Sequence, residues 1–130
     1  EAEGSPVSSV EIREPPHHNW LVHRDLASDE SELEVIKDEG RYYIPDIDLE
    51  ISDAIWNWYT YQGDDFSSPK GETRTQRCFS RGDWKVKTTT RTVLRADTES
   101  FYITAELDAY EGDERIYSQN WSRKIRRDHI

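Results

Sequence analysis

The chain contains no Met among its 130 residues and a single Cys, Cys78. One Cys excludes an internal disulfide and a cluster of metal-binding thiolates. No run approaches the roughly 18 consecutive apolar residues of a membrane span, and no signal-peptide hydrophobic region is present. Because no Met is present, we expect a processed product or an excised piece of a longer chain. The sequence does not specify the compartment, although we favour the cytoplasm.

Motifs that carry chemistry are also lacking. The six Gly are scattered singly, which excludes a glycine-rich phosphate loop, and no GxSxG nucleophile motif occurs. Adjacent residues of a strand point to opposite faces, so His17 and His18 do not chelate one ion. We interpret them, His23 and His129 as surface residues. The sequence therefore predicts no catalytic residue, no cofactor and no metal site.

What the chain has is negative charge and large aromatic side chains. Its 27 acidic and 17 basic residues give a net charge of −10, which argues against nucleic acid and anionic membrane surfaces as partners. Only 34% of the residues are hydrophobic, but they include five Trp, seven Tyr and three Phe. Each aromatic buries about 150–250 Å², so few residues suffice for a core.

Short strand-like runs separated by turn signals predict an all-β fold. We expect residues 1–16 to be a linker-like extended segment and residues 17–130 to be an antiparallel β domain. Gly40 is predicted to turn a hairpin between "SELEVIK" and "RYYIP", and "RGD" to turn another before Trp84. The fold class is an antiparallel meander of seven or eight strands, forming a sandwich or partly open barrel.

Alternation in residues 101–110 predicts a sheet that is wet outside and dry inside. Phe101, Ile103 and Leu107 share one face, and Glu106 and Asp108 share the other. Pairing this strand with residues 84–94 places the acidic row beside a basic row, which favours that register. The carboxylates are interpreted as solvated and charge-paired rather than as an acid–base pair.

The run "WNWYTY" is the most ligand-like feature, because both of its faces are apolar. A second cover is expected there, and it could be a domain or subunit, the chain's own core, or a small ligand such as a lipid or sugar. The candidate contact surface consists of Trp56, Trp58, Tyr59, Tyr61 and Trp84.

Three stretches carry a family resemblance: "REPPHHNWLVHRDLAS", "LEVIKDEGRYYIPDIDLEIS" and "RGDWKVKTTTRTVLRADTESFYITAELDAYEGDERIYSQNWSRKI". They resemble the C-terminal segment of acyl esterases and Xaa-Pro dipeptidyl peptidases, a family of serine hydrolases that includes the cocaine-esterase-like enzymes. The resemblance implies upstream α/β-hydrolase and jelly-roll domains, with a Ser-Asp-His triad of which no member maps onto these residues.

The sequence therefore suggests a non-catalytic accessory C-terminal β domain of a serine acyl hydrolase. It would pack on a neighbouring domain of a parent chain or on a second subunit in a homo-oligomer. The alternative is a stand-alone, barrel-like module that holds a hydrophobic small ligand among Trp56, Trp58, Tyr59 and Trp84.

Overall fold

The computed structural model describes residues 4–128, and residues 1–3 and 129–130, including His129, lie outside the described part. Eight strands account for most of this range, and a single 3-10 turn covers Pro45–Ile47. The strands are β1 (Glu11–Glu14), β2 (His17–Asp25), β3 (Glu30–Ile44), β4 (Leu49–Gln62), β5 (Lys70–Arg81), β6 (Trp84–Ala96), β7 (Ser100–Glu111) and β8 (Glu114–Arg126).

The strands form one antiparallel sheet in which β3 to β8 follow each other in chain order. Both β1 and β2 pair with β3, β2 along residues 30–38 and β1 along residues 41–43. The predicted all-β antiparallel meander is confirmed, and the sheet is not closed into a barrel. β1 lies inside the segment that was expected to be linker-like, whereas residues 4–10 have no regular secondary structure. The division into residues 1–16 and 17–130 itself stays a prediction.

The hairpin predicted at Gly40 is wrong, because β3 continues through this residue as one strand of 15 residues. Gly40 has the expected positive φ, 71°, but uses it in a bulge between Asp38 and Arg41. The Gly40 N–H donates to Asp38 Oδ1 at 2.8 Å. A Cβ at this position would lie 2.2 Å from the carbonyl oxygen of Glu14. The glycine therefore allows the chain between β1 and β2 to pass close beside the bulge of β3.

The other predicted strands and turns agree with the structure. β4 spans the whole of "LEISDAIWNWYTYQ", and Gly82 and Gly112 turn the β5–β6 and β7–β8 hairpins with positive φ. β6 and β7 pair in the predicted register, with Arg91 opposite Glu106 and Thr90 opposite Leu107. The alternation of side chains was therefore assigned correctly in this part of the sheet.

The dry interior predicted for the sheet is not present in the described part of the chain. The buried hydrophobic residues there are Ala54 and Val93, and no large side chain is fully buried. The chain exposes 9843 Å², whereas a compact protein of its 15.3 kDa exposes about 7,100 Å², a difference of roughly 2,700 Å². The reason is that residues 4–128 fold into one layer, and a single sheet cannot cover its own apolar side.

Candidate functional site

One side of the sheet, the apolar face, collects the exposed hydrophobic residues. Directly paired residues of neighbouring strands share a face, so the strand registers assign each side chain to a side. Ten large hydrophobic residues with exposed side chains are paired in these registers, and all ten fall on this face. They are Ile12, Trp20, Val22, Tyr59, Tyr61, Trp84, Leu94, Tyr117, Trp121 and Ile125.

Half-buried apolar residues lie beside these side chains on the same face. Trp20 pairs with Val35, and at the other end of the same cross-strand row Trp121 pairs with Ala105. The predicted inner residues Phe101, Ile103 and Leu107 are half-buried here, and the apolar face extends across all eight strands. Exposed apolar residues collected on one face are typical of an interaction site.

Threonines occupy the middle of the apolar face, and their hydroxyl groups are satisfied within the sheet. Thr75 Oγ1 and Thr90 Oγ1 are 2.6 Å apart, and Thr73 Oγ1 donates to Asn57 Oδ1 at 2.8 Å. Because buried polar groups are costly only when they lack partners, this region can be covered without a large desolvation penalty.

The opposite side, the polar face, holds a buried carboxylate. Glu72 has a side chain that is 9% exposed, and it accepts a hydrogen bond from Arg91 Nε at 2.8 Å and one from Arg74 Nε at 2.9 Å. Lys70 Nζ lies 3.4 Å from its other oxygen. Hydrogen bonding from Arg91, with smaller contributions from Arg74 and Lys70, lowers the pKa of Glu72 to about 2 against the opposing effect of burial.

The five residues of the predicted contact surface are divided between the two faces. Tyr59, Tyr61 and Trp84 lie on the apolar face, each with about half of its surface exposed. Trp56 and Trp58 are half-buried on the polar face, and the guanidinium carbon of Arg74 lies 5.4 Å from the centre of the Trp58 ring. A contact role for these residues stays a prediction, but one flat partner cannot touch all five.

Trp56 and Trp58 line an open groove of about 670 Å³ on the polar face, together with Ile36, Arg74 and Arg91. Its walls offer aromatic rings and polar groups to a ligand. The cationic groups in these walls are already engaged, because Arg91 and Arg74 both contact Glu72. The arrangement suits weak surface contact with a mixed apolar and polar molecule, since enclosed sites bury most of their ligand.

The predicted solvated carboxylates lie where the register places them. Glu106 is about half exposed and 3.9 Å from Arg91, and Asp108 contacts Arg115 at 3.5 Å. Glu111 pairs with Val86, which places it on the other face, and Asp113 lies in the exposed β7–β8 turn. These four groups therefore do not form one acid–base site.

The remaining candidates show no convergence on a reaction centre. His17, His18 and His23 are exposed, and Cys78 is a half-buried free thiol. Within residues 4–128, no group of three or more His, Cys, Asp or Glu side chains is placed to hold a metal ion. Nor does any helix in this range have the length and apolar character needed to cross a membrane.

Sequence reasoning missed two features of the site. The ion network of Glu72 follows from alternation, because Lys70, Glu72 and Arg74 occupy every second position of β5 and so share a face. The exposure of Trp20 and Val22 had no such signal, because an apolar residue on a strand is equally consistent with a covered or an open face. Comparisons of this chain with protein-family models, curated proteins and solved structures give no match.

Proposed function

We propose that this chain is a non-catalytic accessory β domain of a serine acyl hydrolase, and that it packs its apolar face on a neighbouring domain or subunit. The packing role rests on one observation: the ten exposed large hydrophobic residues that are paired between strands all lie on the apolar face. The resemblance in residues 13–28, 33–52 and 81–125 supports the choice of parent protein.

In this proposal the hydrolase reaction takes place outside these residues. An acyl hydrolase of this type needs a nucleophile, a base that contacts it and donors for the developing oxyanion. Cys78 is a half-buried free thiol whose facing residue, Lys87, places its ammonium over the Tyr110 ring, and the most strongly perturbed carboxylate, Glu72, is ion-paired and acceptor-only. The domain would therefore act by covering and orienting its neighbour, and ester or amide cleavage would depend on the triad of the parent chain.

A stand-alone module that binds a hydrophobic small ligand is the second candidate. The groove lined by Trp56 and Trp58 favours it, because aromatic side chains with nearby polar groups are typical of small-molecule sites. Against it, the groove is open, and the exposed large hydrophobic side chains among the paired residues lie on the other face. This candidate predicts saturable quenching of Trp fluorescence that Trp56→Ala abolishes and Trp121→Ala does not.

Hydrolysis of a short-chain aryl ester tests the proposed function directly. The purified 130-residue chain is expected to show no turnover above the buffer blank, whereas the product of the complete reading frame that contains it should be active. Saturable turnover by the 130-residue chain that survives repurification would place a catalytic site within these residues and refute the proposal. A complete product without hydrolase activity would refute the choice of parent family.

A further inference from the structure

The partner that binds the apolar face determines how the domain assembles. Four kinds of cover are physically possible: a membrane surface, a small amphiphile, a different protein surface and a second copy of this chain. The net charge of −10 opposes binding to anionic membranes. A small amphiphile is too small, because the apolar face extends across all eight strands.

Charge is distributed unevenly between the apolar face and the rest of the chain. The register places five cations and three carboxylates on this face. Glu39, in the β3 bulge, is a fourth carboxylate on this side, because it contacts His18 of the apolar face at 3.2 Å. The cations are Arg24, Lys37, Arg77, Arg81 and Arg123, and the three carboxylates are Asp53, Glu111 and Glu114. The apolar face is therefore close to neutral although the whole chain carries −10.

Several of these charges are already neutralised within the sheet. Arg77 donates to Asp53 at 2.6 Å, and Arg24 forms an ion pair with Asp29. Two identical faces of this kind can stack without concentrating negative charge between them, because much of the acidic surplus lies in turns between the strands, as at Asp64, Asp65 and Asp83. Like-charge repulsion, which is the usual obstacle to self-association of a strongly acidic chain, is therefore small at this face.

We propose that a second copy of this chain covers the apolar face, so that two sheets pack face to face as the halves of one sandwich. A stable interface buries about 1,200–2,000 Å² in total, or about 600–1,000 Å² per copy, and the chain's excess over a compact protein, roughly 2,700 Å² summed over its whole surface, is larger than that. Identical faces also match in extent, as a two-fold interface requires. This inference rests on the proposed function in one respect, because that function also requires a partner on the apolar face.

Sedimentation equilibrium of the 130-residue chain tests this assembly. The expected result is a species of twice 15.3 kDa at micromolar concentration. Two matched pairs of variants locate the interface. The first pair, Trp121→Lys and Asn120→Lys, changes adjacent exposed positions of β8. The second pair, Val22→Lys and His23→Lys, changes adjacent exposed positions of β2. In each pair the first residue lies on the apolar face and the second on the polar face.

Trp121→Lys and Val22→Lys should each weaken the dimer at least tenfold, and Asn120→Lys and His23→Lys should leave it unchanged. Because Val22 is 75% exposed, a lysine there is tolerated by a folded monomer, and circular dichroism verifies that each variant is folded. A monomeric wild-type chain overturns the inference. A dimer that Val22→Lys leaves intact also overturns it, because such a dimer is held elsewhere, for example through the free edge of β8.

The outcomes separate this inference from the proposed function. In one outcome the 130-residue chain is monomeric, but its apolar face is protected from hydroxyl-radical labelling in the complete gene product. That result would support the accessory role and would show that another domain, rather than a second copy, covers the face. Ester turnover by the dimer would refute the accessory role and leave the assembly unaffected.

Discussion

Replacement of Glu72 by Gln tests whether the polar face is held together by its ion network. The pKa of this carboxyl is lowered from 4.5 to about 2, with hydrogen bonding from Arg91 as the largest cause. A difference of about 2.5 pKa units corresponds to roughly 3 kcal/mol of unfolding free energy, since each unit is worth about 1.4 kcal/mol. Arg91 and Arg74 are about half exposed and regain water when the carboxylate is lost, so we expect Glu72→Gln to cost roughly 2–3 kcal/mol at pH 7.

The pH dependence gives the sharper signature. A carboxyl whose pKa is lower in the folded state contributes stability that is complete above about pH 4.5 and lost as the pH falls through about 2. The difference between wild type and Glu72→Gln should therefore fall to about half by pH 3 and nearly vanish at pH 2. Urea unfolding followed by Trp fluorescence, at one fixed protein concentration, measures this difference.

A matched control separates the buried carboxylate from an ordinary surface ion pair. Glu106 also faces Arg91, at 3.9 Å, but its side chain is 52% exposed. We expect Glu106→Gln to change stability by at most about 0.5 kcal/mol at any pH. Equal effects of the two substitutions, or a Glu72→Gln effect that does not change between pH 7 and pH 3, would refute the argument.

Two further predictions concern the backbone at turns and bulges. Gly40→Ala should lower the unfolding free energy, measured by urea titration, by more than about 2 kcal/mol, because it combines a positive φ with a Cβ placed 2.2 Å from the Glu14 oxygen. The control is Gly112→Ala, at a position with φ 56° and open space around it, which should lower the unfolding free energy by only about 1–2 kcal/mol. Asp97→Asn should lower the thermal midpoint at pH 7, because the Tyr102 hydroxyl and the N–H groups of Glu99 and Ser100 donate to this carboxylate and lower its pKa. The pKa shift predicts that this difference shrinks as the pH falls below the usual range of an Asp carboxyl, and a difference that grows instead would contradict it.

Alternation and turn chemistry were sufficient to predict most of this sheet. The register of β6 with β7 followed from the charges of Arg91 and Glu106, and β4 was bounded correctly because turn residues flank it. Gly40 shows the limit of local reasoning. Positive φ serves a hairpin turn and a bulge equally well, and only the approach of Glu14 to β3 distinguishes them. That approach joins residues far apart in sequence, which no local pattern records.

The site was harder to predict than the fold for a related reason. Alternation assigns Trp121 and Tyr117 to the same side as Leu107, but it cannot tell whether that side is covered by the same chain. Folding of residues 4–128 into a single layer leaves those residues exposed, and so converts a predicted core into a candidate interface.

The two faces differ in how their apolar residues are protected. Ala54 and Val93, the buried hydrophobic residues of the described chain, both lie on the polar face, where Gln76 and Glu72 are their partners in β5. Glu72 lies directly between Trp58 and Val93 in the ladder, and Arg74 covers the Trp58 ring. Aliphatic stems of such side chains exclude water from small apolar neighbours. The polar face thus protects part of its apolar surface with its own side chains, and residues 4–128 give the threonine-centred apolar face no equivalent cover. The exposed large hydrophobic side chains among the paired residues all lie on the apolar face, and their segregation favours association through that face.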